Sequence, residues 1–381
     1  MKFQTVYFVA GEVSADNHGA ALMRSLRKLD GELNFVGRGG PQMQEVAGER
    51  FKNWISEAAV LGLWEVLRKY GYFREQFHET LREIRESKPD AVVLIDYPGF
   101  NLRLARALRG QARQQKIIYY ISPQVWAWNR GRIKRMAHFI DLVLCIFPFE
   151  VDLYNQAGLR ALFVGHPMIE RLWARKIDTE RDRNLIGIFP GSRSREVRKI
   201  FPVMLEAARE LRKHNPNLRF EVAAASEQLA REMKPAIAGL DQSQKREAIQ
   251  IKIDETAAIM QHAWAGIIAS GSATLEAAFF RLPFVLIYKV AWPTYVAARL
   301  VVNVKYLGMP NLLANKEVVP EFIQHRATPN AIVKALRPLI ENANARERMI
   351  SEFDAMVPQL GDIGASERAA RAIIEEIESA S

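Results

Sequence analysis

One stretch of the chain reads Leu185-Ile-Gly-Ile-Phe-Pro-Gly-Ser-Arg-Ser-Arg195, and a second reads Gly266-Ile-Ile-Ala-Ser-Gly-Ser-Ala-Thr-Leu-Glu276. Each is an apolar strand that breaks at a Gly/Ser loop and re-enters as a helix. The start of a helix offers unpaired N–H donors and a partial positive charge, and glycine lets a phosphate approach the backbone closely. Neither loop has the GxxxxGK[ST] or the GxGxxG pattern. Together the two junctions predict a diphosphate site, and they favour a nucleotide-sugar ligand over a hydrolysed nucleotide.

Strand, loop and helix alternate along the whole chain, which predicts parallel sheets with helices on both faces. A charge-rich stretch at Glu170–Asn184 is typical of an interdomain connection. We therefore predict an α/β fold with two Rossmann-like, doubly wound parallel-sheet domains facing a cleft. The predicted domains are 1–168 and 169–344, followed by a helical C-terminal tail at 345–381. The predicted strands are Thr5–Ala10, Asn34–Val36, Ala91–Ile95, Lys116–Ile121, Leu142–Ile146, Ala161–Val164, Leu185–Phe189, Arg219–Ala224, Ile249–Ile253, Gly266–Ala269 and Phe284–Tyr288.

The composition of the 381-residue chain is that of an ordered globular protein. Its formal net charge of +10 favours an anionic partner, either nucleic acid, a membrane surface or a phosphorylated substrate, although a soluble enzyme can also be basic. The one cysteine, Cys145, excludes an intramolecular disulfide and suits a reducing compartment. Neither a targeting segment nor a membrane-spanning run stands out. We expect a cytoplasmic protein whose membrane contact is peripheral.

Three polar side chains follow the first predicted strand, namely Glu12, Ser14 and Asp16. Side chains at this position project toward the edge of the predicted cleft, so they are candidates for binding an acceptor or a phosphate. The alternative is helix capping, because Ser and Asp commonly precede the first turn of a helix. The residues alone favour the capping interpretation at least as much as the binding one.

Asp96 is a sharper candidate, because it follows four aliphatic residues and precedes a turn at Pro98 and Gly99. A carboxylate at the end of a core strand loses water, which raises its pKa toward that of a usable base. Such a base can remove the proton of an attacking sugar hydroxyl. The alternative is a carboxylate that caps the next helix. We favour the catalytic role because Asn101 already supplies a cap.

Two tryptophans and two of the cations that follow them come after the strand at residues 116–121: Trp126, Trp128, Arg130 and Arg132. An aromatic wall beside a positive patch could hold a sugar face and a phosphate. The alternative is a tryptophan packed in the core, followed by the solvated start of a basic helix. A bound anion would relieve the repulsion between these cations and the helix dipole.

The stretch Ala59–Phe77 is too apolar for the exposed face of a simple domain. It is either an interfacial helix, with aromatic rings in lipid and cations at anionic headgroups, or a core helix. The sequence leaves both interpretations open. The candidates for membrane or acyl-chain contact are Leu63, Trp64, Leu67, Tyr70 and Phe73.

The loops of the second half hold the candidate residues for donor binding. Arg193 can bind a diphosphate through two hydrogen bonds, and Glu276 is placed to accept hydrogen bonds from a ribose. No Asp-x-Asp triplet occurs and the seven histidines are scattered, so we predict no metal. Helix ends and Arg193 would then stabilise a diphosphate leaving group. The full set is Gly191, Ser192, Arg193, Ser270, Gly271, Ser272, Glu276, Asn311, Asn315 and Glu317.

With these residues in place, the chain resembles the lipid-A-disaccharide synthases, a family of inverting glycosyltransferases of GT-B architecture. The resemblance runs over nearly the whole length, in order, and nine segments in sequence make it specific. The segments are Ala10-Gly-Glu-Val-Ser14, Gly39-Gly-Pro-Gln-Met43, Leu94-Ile-Asp-Tyr-Pro98 with Phe100-Asn101, Ser122-Pro-Gln-Val-Trp-Ala-Trp128, Phe147-Pro-Phe-Glu150, Gly165-His-Pro167, Pro190-Gly-Ser-Arg193, Ala269-Ser-Gly-Ser272 and Pro310-Asn-Leu-Leu313.

The resemblance implies transfer of a diacylglucosamine from UDP-2,3-diacylglucosamine to 2,3-diacylglucosamine 1-phosphate, with release of UDP and a β-1′,6 link. By the same resemblance Asp96 is the base, Arg193 contacts the diphosphate or phosphate, and the donor lies mainly on the second domain. It further implies no cofactor and a peripheral location at the inner face of the inner membrane, with the Leu61–Phe77 region against lipid. A homodimer is left open.

Three positions depart from the family's usual pattern. Ala15 stands where the family usually has Gly, Gly99 where it usually has a second Asp, and Asn129 where a base is common. The missing second carboxylate leaves Asp96 as the single candidate for the base.

Three alternatives remain at this stage. The nearest is another GT-B nucleotide-sugar enzyme, with a different lipid acceptor or with epimerase activity. A two-domain binding protein without chemistry is less favoured, because of the position of Asp96. Nucleic-acid binding is disfavoured because the cations are spread along the chain and do not form one stripe.

Overall fold

The computed structural model describes residues 4–55, 70–110, 115–125, 131–238, 248–292, 295–296 and 304–379. The chain divides into two compact units, of which the first comprises Met1–Glu170 and Leu360–Ser381 and the second comprises Arg171–Gln359.

The first unit is built on one parallel sheet. Its strands, counted over the described residues, are β1 (Thr5–Ala10), β2 (Asn34–Gly39), β3 (Phe51–Asn53), β4 (Ala91–Ile95), β5 (Lys116–Tyr120), β6 (Leu142–Cys145) and β7 (Ala161–Phe163). They lie in the order β3-β2-β1-β4-β5-β6-β7, with every neighbouring pair parallel. The helices between them are α1 (Val13–Leu29), α2 (Pro41–Ala47), α3 (Tyr70–Ser87), α4 (Pro98–Arg109), α5 (Gly131–Met136) and α6 (Pro148–Asn155).

Helices cover both faces of this sheet because its central strands are apolar on both faces. β4 reads Ala-Val-Val-Leu-Ile, and all five residues are buried. Alternate residues of β1 enter two separate cores: Val6 and Phe8 pack in one, and Tyr7 and Val9 in the other. Burial of one aliphatic side chain contributes about 1.5–3 kcal/mol, so a strand that is apolar on both faces requires a helix on each side.

The second unit repeats this plan with a second parallel sheet. Its described strands are β8 (Asp182–Phe189), β9 (Arg219–Ala224), β10 (Ile249–Ile253), β11 (Ala263–Ala269), β12 (Phe284–Tyr288) and β13 (Glu321–Ile323), in the order β10-β9-β8-β11-β12-β13. The connecting helices are α8 (Ser194–His214), α9 (Glu227–Ala238), α10 (Thr256–His262), α11 (Ala273–Phe279), α12 (Met309–Ala314) and α13 (Pro329–Glu341). The short α7 (Met168–Ala174) precedes β8 and runs across the division between the units.

The predicted fold class is confirmed: both halves are doubly wound parallel α/β sheets. Two strands escaped prediction, β3 and β13, because three residues at a sheet edge carry too little apolar pattern to be recognised. The strand predicted at Lys116–Ile121 ends one residue earlier. At Ile121 the backbone turns left-handed, with φ 61°.

The predicted helical tail is two helices that belong to different units. α14 (Ala343–Met356) packs against α13 in the second unit, and α15 (Ala365–Glu378) packs against α1 in the first. Glu376 of α15 is buried and forms ion pairs with Lys116, at 2.7 Å, and with Arg160. The predicted domain bounds lie at 168 and 344, whereas the division into units falls after Glu170 and after Gln359.

Candidate active site

In each sheet the strand order reverses between two neighbouring strands, and the predicted site residues follow those strands. In the first unit the reversal lies between β1 and β4, which are followed by Glu12 and Asp96. In the second it lies between β8 and β11, which are followed by the loops at Arg193 and Ser270. Ligands of open α/β sheets bind outside the carboxyl ends of the strands at this topological switch point. Strand order therefore brings each pair of predicted segments together within its own unit.

Asp96 occupies a two-residue turn between β4 and α4. Asp96 and Tyr97 both have left-handed backbones, with φ 47° and 50°. The peptide N–H of Asp96 donates to the Tyr120 carbonyl at 3.1 Å. Its carbonyl oxygen accepts from the Tyr119 hydroxyl at 2.5 Å and from Asn101 Nδ2 at 2.8 Å. The turn is therefore held from three directions in a conformation that non-glycine residues seldom adopt.

The electrostatic surroundings of Asp96 suit a general base. Burial raises the pKa of the Asp96 carboxyl to about 6, and the carboxylate of Glu12 pushes it in the same direction. A hydrogen bond from the Tyr97 backbone opposes this shift without cancelling it. A base with a pKa near the working pH is ionised there and still strong enough to take a proton.

Aromatic rings pack around the turn that contains Asp96 and Tyr97. A Cβ atom on Gly11 would lie 2.5 Å from the ring of Tyr97, so only glycine lets this ring approach the end of β1. Trp54 donates its Nε1 hydrogen to the Ala10 carbonyl at 2.7 Å and packs edge-on against Tyr97 and Phe100. Trp54 was not predicted as part of this region, because nothing in the local sequence links it to β1 or β4.

The prediction that Asn101 caps α4 is wrong. The helix begins at Pro98, and Asn101 lies inside it, fully buried. Its Nδ2 group donates to the carbonyls of Ile95 and Asp96, at 3.3 and 2.8 Å. Asn101 therefore ties the helix back to the end of the strand.

Asp16 does cap a helix, but a distant one. Its carboxylate, 2% exposed, accepts hydrogen bonds of 2.9–3.0 Å from the backbone of Gly40, Gln42 and Met43 at the start of α2. Both of its oxygens are thereby occupied. Glu12 and Ser14 are exposed at the start of α1, and the Glu12 side chain makes no capping hydrogen bond there. Their predicted role on the acceptor side stays a prediction.

The departures from the family pattern have a simple steric reading. Ala15 is buried in the core beneath α1, where its methyl group is accommodated. Gly99 is exposed, and a Cβ atom there would meet nothing within 4 Å. Nothing in the backbone requires glycine at position 99.

Some predicted residues lie outside the described part of the chain. These are Trp126, Trp128 and Arg130 of the aromatic wall and Leu63, Trp64 and Leu67 of the apolar stretch. Arg132 is half-buried on α5, and Tyr70 begins α3. Phe73 packs partly against the core, as a core helix would require. Among the helices of the described residues, none combines the length and apolar character needed to span a membrane.

In the second unit the two Gly/Ser loops lie side by side. Gly191 has φ 100° and Gly271 has φ 154°, and a Cβ atom on Gly191 would lie 3.7 Å from that of Ala269. Arg193 directly precedes the 21-residue α8, and its side chain is 64% exposed. Its contact with Glu196, at 3.2 Å, is a surface ion pair that an incoming anion can replace.

The remaining donor-side candidates differ in how many hydrogen bonds or ion pairs they already make within the protein. Glu276 lies in the first turn of α11 and forms an ion pair of 2.8 Å with Arg171. Asn311 is fully buried, and its amide bonds the backbone of Val318 and Val319 and the carboxylate of Glu321. The hydrogen-bonding capacity of that amide is therefore used within the protein. Asn315 ends α12 with a left-handed backbone, and Glu317 is exposed.

One structural feature of this region could not be read from the sequence. Glu321 accepts hydrogen bonds from the backbone of Leu307 and Gly308 and so fixes the start of α12.

Within the described ranges, no three His, Cys, Asp or Glu side chains come together in a group that could hold a metal ion. The absence of a metal requirement stays a prediction.

Comparison with known proteins gives a consistent result. The model of the family described as lipid-A-disaccharide synthetase matches residues 6–373. The lipid-A-disaccharide synthase of Geobacter sulfurreducens is 37% identical, over 97% of this chain and 96% of its own length. That of Coxiella burnetii (strain CbuG_Q212) is 34% identical, over 98% of both chains.

Solved structures share the fold at low sequence identity. The UDP-GlcNAc 2-epimerase of Neisseria meningitidis matches with a TM-score of 0.60 and 14% identity, over 100% of both chains. MurG of Acinetobacter baumannii matches with a TM-score of 0.58 and 13% identity, over 98% of this chain and 99% of its own. At these identities the likeness shows the fold alone.

Proposed function

The chain belongs to the lipid-A-disaccharide synthetase family, and from this premise we propose that the first unit holds the acceptor and the base while the second binds the donor. The protein is a glycosyltransferase that forms the lipid A disaccharide from a UDP-sugar donor and a lipid acceptor. The donor we assign is UDP-2,3-diacylglucosamine, and the acceptor is 2,3-diacylglucosamine 1-phosphate.

Asp96 is the base in this assignment, and the observation that carries it is its partly buried, strained position at the switch point of the first sheet. Its carboxylate takes the proton of the acceptor hydroxyl. The oxygen forms a bond to the anomeric carbon of the donor on the face opposite UDP, and the bond to the diphosphate oxygen breaks. UDP leaves with that electron pair, so the anomeric configuration inverts.

The leaving diphosphate is received at the start of α8. Free N–H groups and the partial positive charge of a long helix favour an anion there, and Arg193 adds a guanidinium on an exposed side chain. Ser270, Gly271 and Ser272 line the neighbouring loop. Glu276 binds the ribose after exchanging its ion pair with Arg171 for hydroxyl donors. Asn311 supports this region from within, since its amide is already saturated.

The lipid substrates place the protein at a membrane surface. We assign it to the cytoplasm, peripherally bound to the inner face of the inner membrane through the stretch that contains Leu63, Trp64, Leu67, Tyr70 and Phe73. The net charge of +10 supports an anionic surface. Neither nucleic acid nor a cofactor has a role. Whether the protein is a homodimer is decided by its mass in solution, measured by light scattering.

The test is UDP release from UDP-2,3-diacylglucosamine, with and without 2,3-diacylglucosamine 1-phosphate, in buffer that contains EDTA. We expect release that requires the acceptor and persists in EDTA. Release without acceptor, or conversion of the donor to an epimer, would contradict the assignment. Activity that is lost in EDTA and restored by Mg²⁺ would overturn metal independence and leave the transfer reaction standing.

A further inference from the structure

The turn at Asp96 has a cost that its surroundings must offset. Two consecutive non-glycine residues are left-handed, and each such residue costs on the order of 1–3 kcal/mol. The turn has only two residues, because β4 ends at Ile95 and α4 begins at Pro98. Proline disfavours helical backbone angles in the residue before it, which adds to the restriction at Tyr97. Without specific partners, this peptide would relax and carry the carboxylate with it.

Two buried side chains from separate elements hold this peptide. The Tyr119 hydroxyl comes from β5 and Asn101 Nδ2 from α4, and both donate to the Asp96 carbonyl oxygen, at 2.5 and 2.8 Å. Both residues are fully buried. Together they occupy both lone pairs of one backbone oxygen.

The hydrogen bonding of the Asn101 side chain is unequal at its two polar atoms. Its Oδ1 atom is buried and, among the described residues, has no hydrogen-bond partner. A buried polar atom without a partner costs about 1–3 kcal/mol, and an aliphatic side chain would avoid that cost. The amide is therefore kept for its donor group, which reaches Asp96 and Ile95.

We propose that Tyr119 and Asn101 are positioning residues that hold the Asp96 peptide in its left-handed conformation, so that the carboxylate is in place for the acceptor hydroxyl. The proposal rests on the assignment of Asp96 as the base. Neither residue touches substrate in this account. Their loss should lower kcat and leave substrate binding unchanged, because displacement of a catalytic group by about 1 Å can cost 100-fold in rate.

Adjacent residues of β5 provide a matched pair of variants. Tyr119→Phe removes the hydroxyl that binds Asp96. Tyr120→Phe removes an equally buried hydroxyl from the other face of the sheet, where Tyr120 packs with α1 and α15. We expect Tyr119→Phe to lower kcat about 10-fold to 100-fold. The KM values and the affinity for UDP should stay as in the wild type, and Tyr120→Phe should be close to wild type in all of them.

The pH profile separates positioning from general destabilisation. The acid limb of the wild-type profile should reflect the Asp96 pKa of about 6. A relaxed Asp96 regains water, so its pKa falls and the acid limb of Tyr119→Phe should move to lower pH. A variant that is only partly unfolded would lose activity without moving this limb. Circular dichroism checks folding, and Asn101→Ala carries the same test if Tyr119→Phe does not fold.

Asp96→Asn distinguishes failure of this proposal from failure of the assignment on which it rests. If Asp96→Asn retains full activity, Asp96 is not the base and both ideas fall. If Asp96→Asn is inactive while Tyr119→Phe matches Tyr120→Phe in rate and pH profile, the positioning role alone is overturned. If Asp96→Asn is inactive and Tyr119→Phe is slow with an acid limb at lower pH, the results support both the assignment of Asp96 as the base and the positioning role.

Discussion

The two switch points share one topology and differ in how they use left-handed backbone. At the first, positive φ angles fall on Asp96 and Tyr97, whose side chains are partly buried beside an aromatic cluster. At the second they fall on Gly191 and Gly271, and the cationic side chain of Arg193 extends into solvent. In our proposal the first uses this strain to present a carboxylate, and the second uses glycine to let an anion approach the backbone N–H groups.

Strand order therefore determines where a site can form, and the residues of the turn determine which chemistry it can perform. In our proposal a partly buried carboxylate and an exposed guanidinium serve different roles at two switch points of the same kind. If this comparison holds, substitutions at one switch point should change the transfer step and leave UDP binding alone. Substitutions at the other should do the reverse.

The largest effect is expected for Asp96→Asn. Removal of a general base typically costs about 100-fold to 10,000-fold in kcat, and the isosteric amide keeps the packing of the turn. The measurement is UDP release under saturating substrates, with UDP affinity determined by calorimetry on the same sample. Unchanged turnover would contradict the catalytic role that we assign to the first switch point.

Arg193→Ala should weaken UDP binding about 10-fold to 100-fold, since a hydrogen bond to a charged group contributes about 1.5–3 kcal/mol. Arg198→Ala is the matched control, because Arg198 lies further along the same helix and pairs with Glu232. Calorimetric titration with UDP checks both. Equal losses of UDP affinity in the two variants would indicate general charge attraction. The proposed specific contact between Arg193 and the diphosphate would then be wrong.

The smallest effect is a shift in pH dependence on Glu12→Gln. The Glu12 carboxylate raises the pKa of Asp96, so its neutralisation should lower that pKa. The base must be ionised to act, so the acid limb of the kcat/KM profile should move to lower pH by roughly half a unit. Glu32→Gln, at the turn after α1, should leave the profile in place. A limb that moves to higher pH would show that Glu12 does not act on Asp96 in this way.

Much of this architecture could be predicted from local pattern. Apolar strands followed by polar residues located the segments after β1, β4, β8 and β11, because alternation of strands and helices indicates where each strand of a parallel sheet ends. The strand order that places these segments side by side is seen only in the structure. The position of Asp96 after four aliphatic residues indicated burial and hence a raised pKa, which the structure gives. These properties depend on a few neighbouring residues, so the sequence contains them.

What could not be predicted depends on side-chain partners that local sequence patterns do not specify. Asp16 was assigned to its own helix or to a ligand, whereas it caps α2, more than twenty residues later. Asn101 was predicted to cap the helix because local propensity favours Asn at such a position. In the structure its side-chain amide instead donates a hydrogen bond to the carbonyl of Asp96. The pairing of Arg171 with Glu276 joins residues more than a hundred positions apart. Side-chain partners of this kind are determined by tertiary packing, about which local propensity carries no information.

The return of α15 to the first unit has a consequence for biosynthesis. The ribosome makes β1 to β7 first, yet one face of their sheet is completed by Ala369, Ile373 and Ile377 near the end of the chain. At about 5–20 residues per second, the roughly 200 residues in between take on the order of 10–40 s to translate. During that interval the nascent chain has an uncovered apolar face, which is the kind of surface that chaperones bind. The strands of the first unit are therefore translated before the second unit, but their sheet is covered only after it.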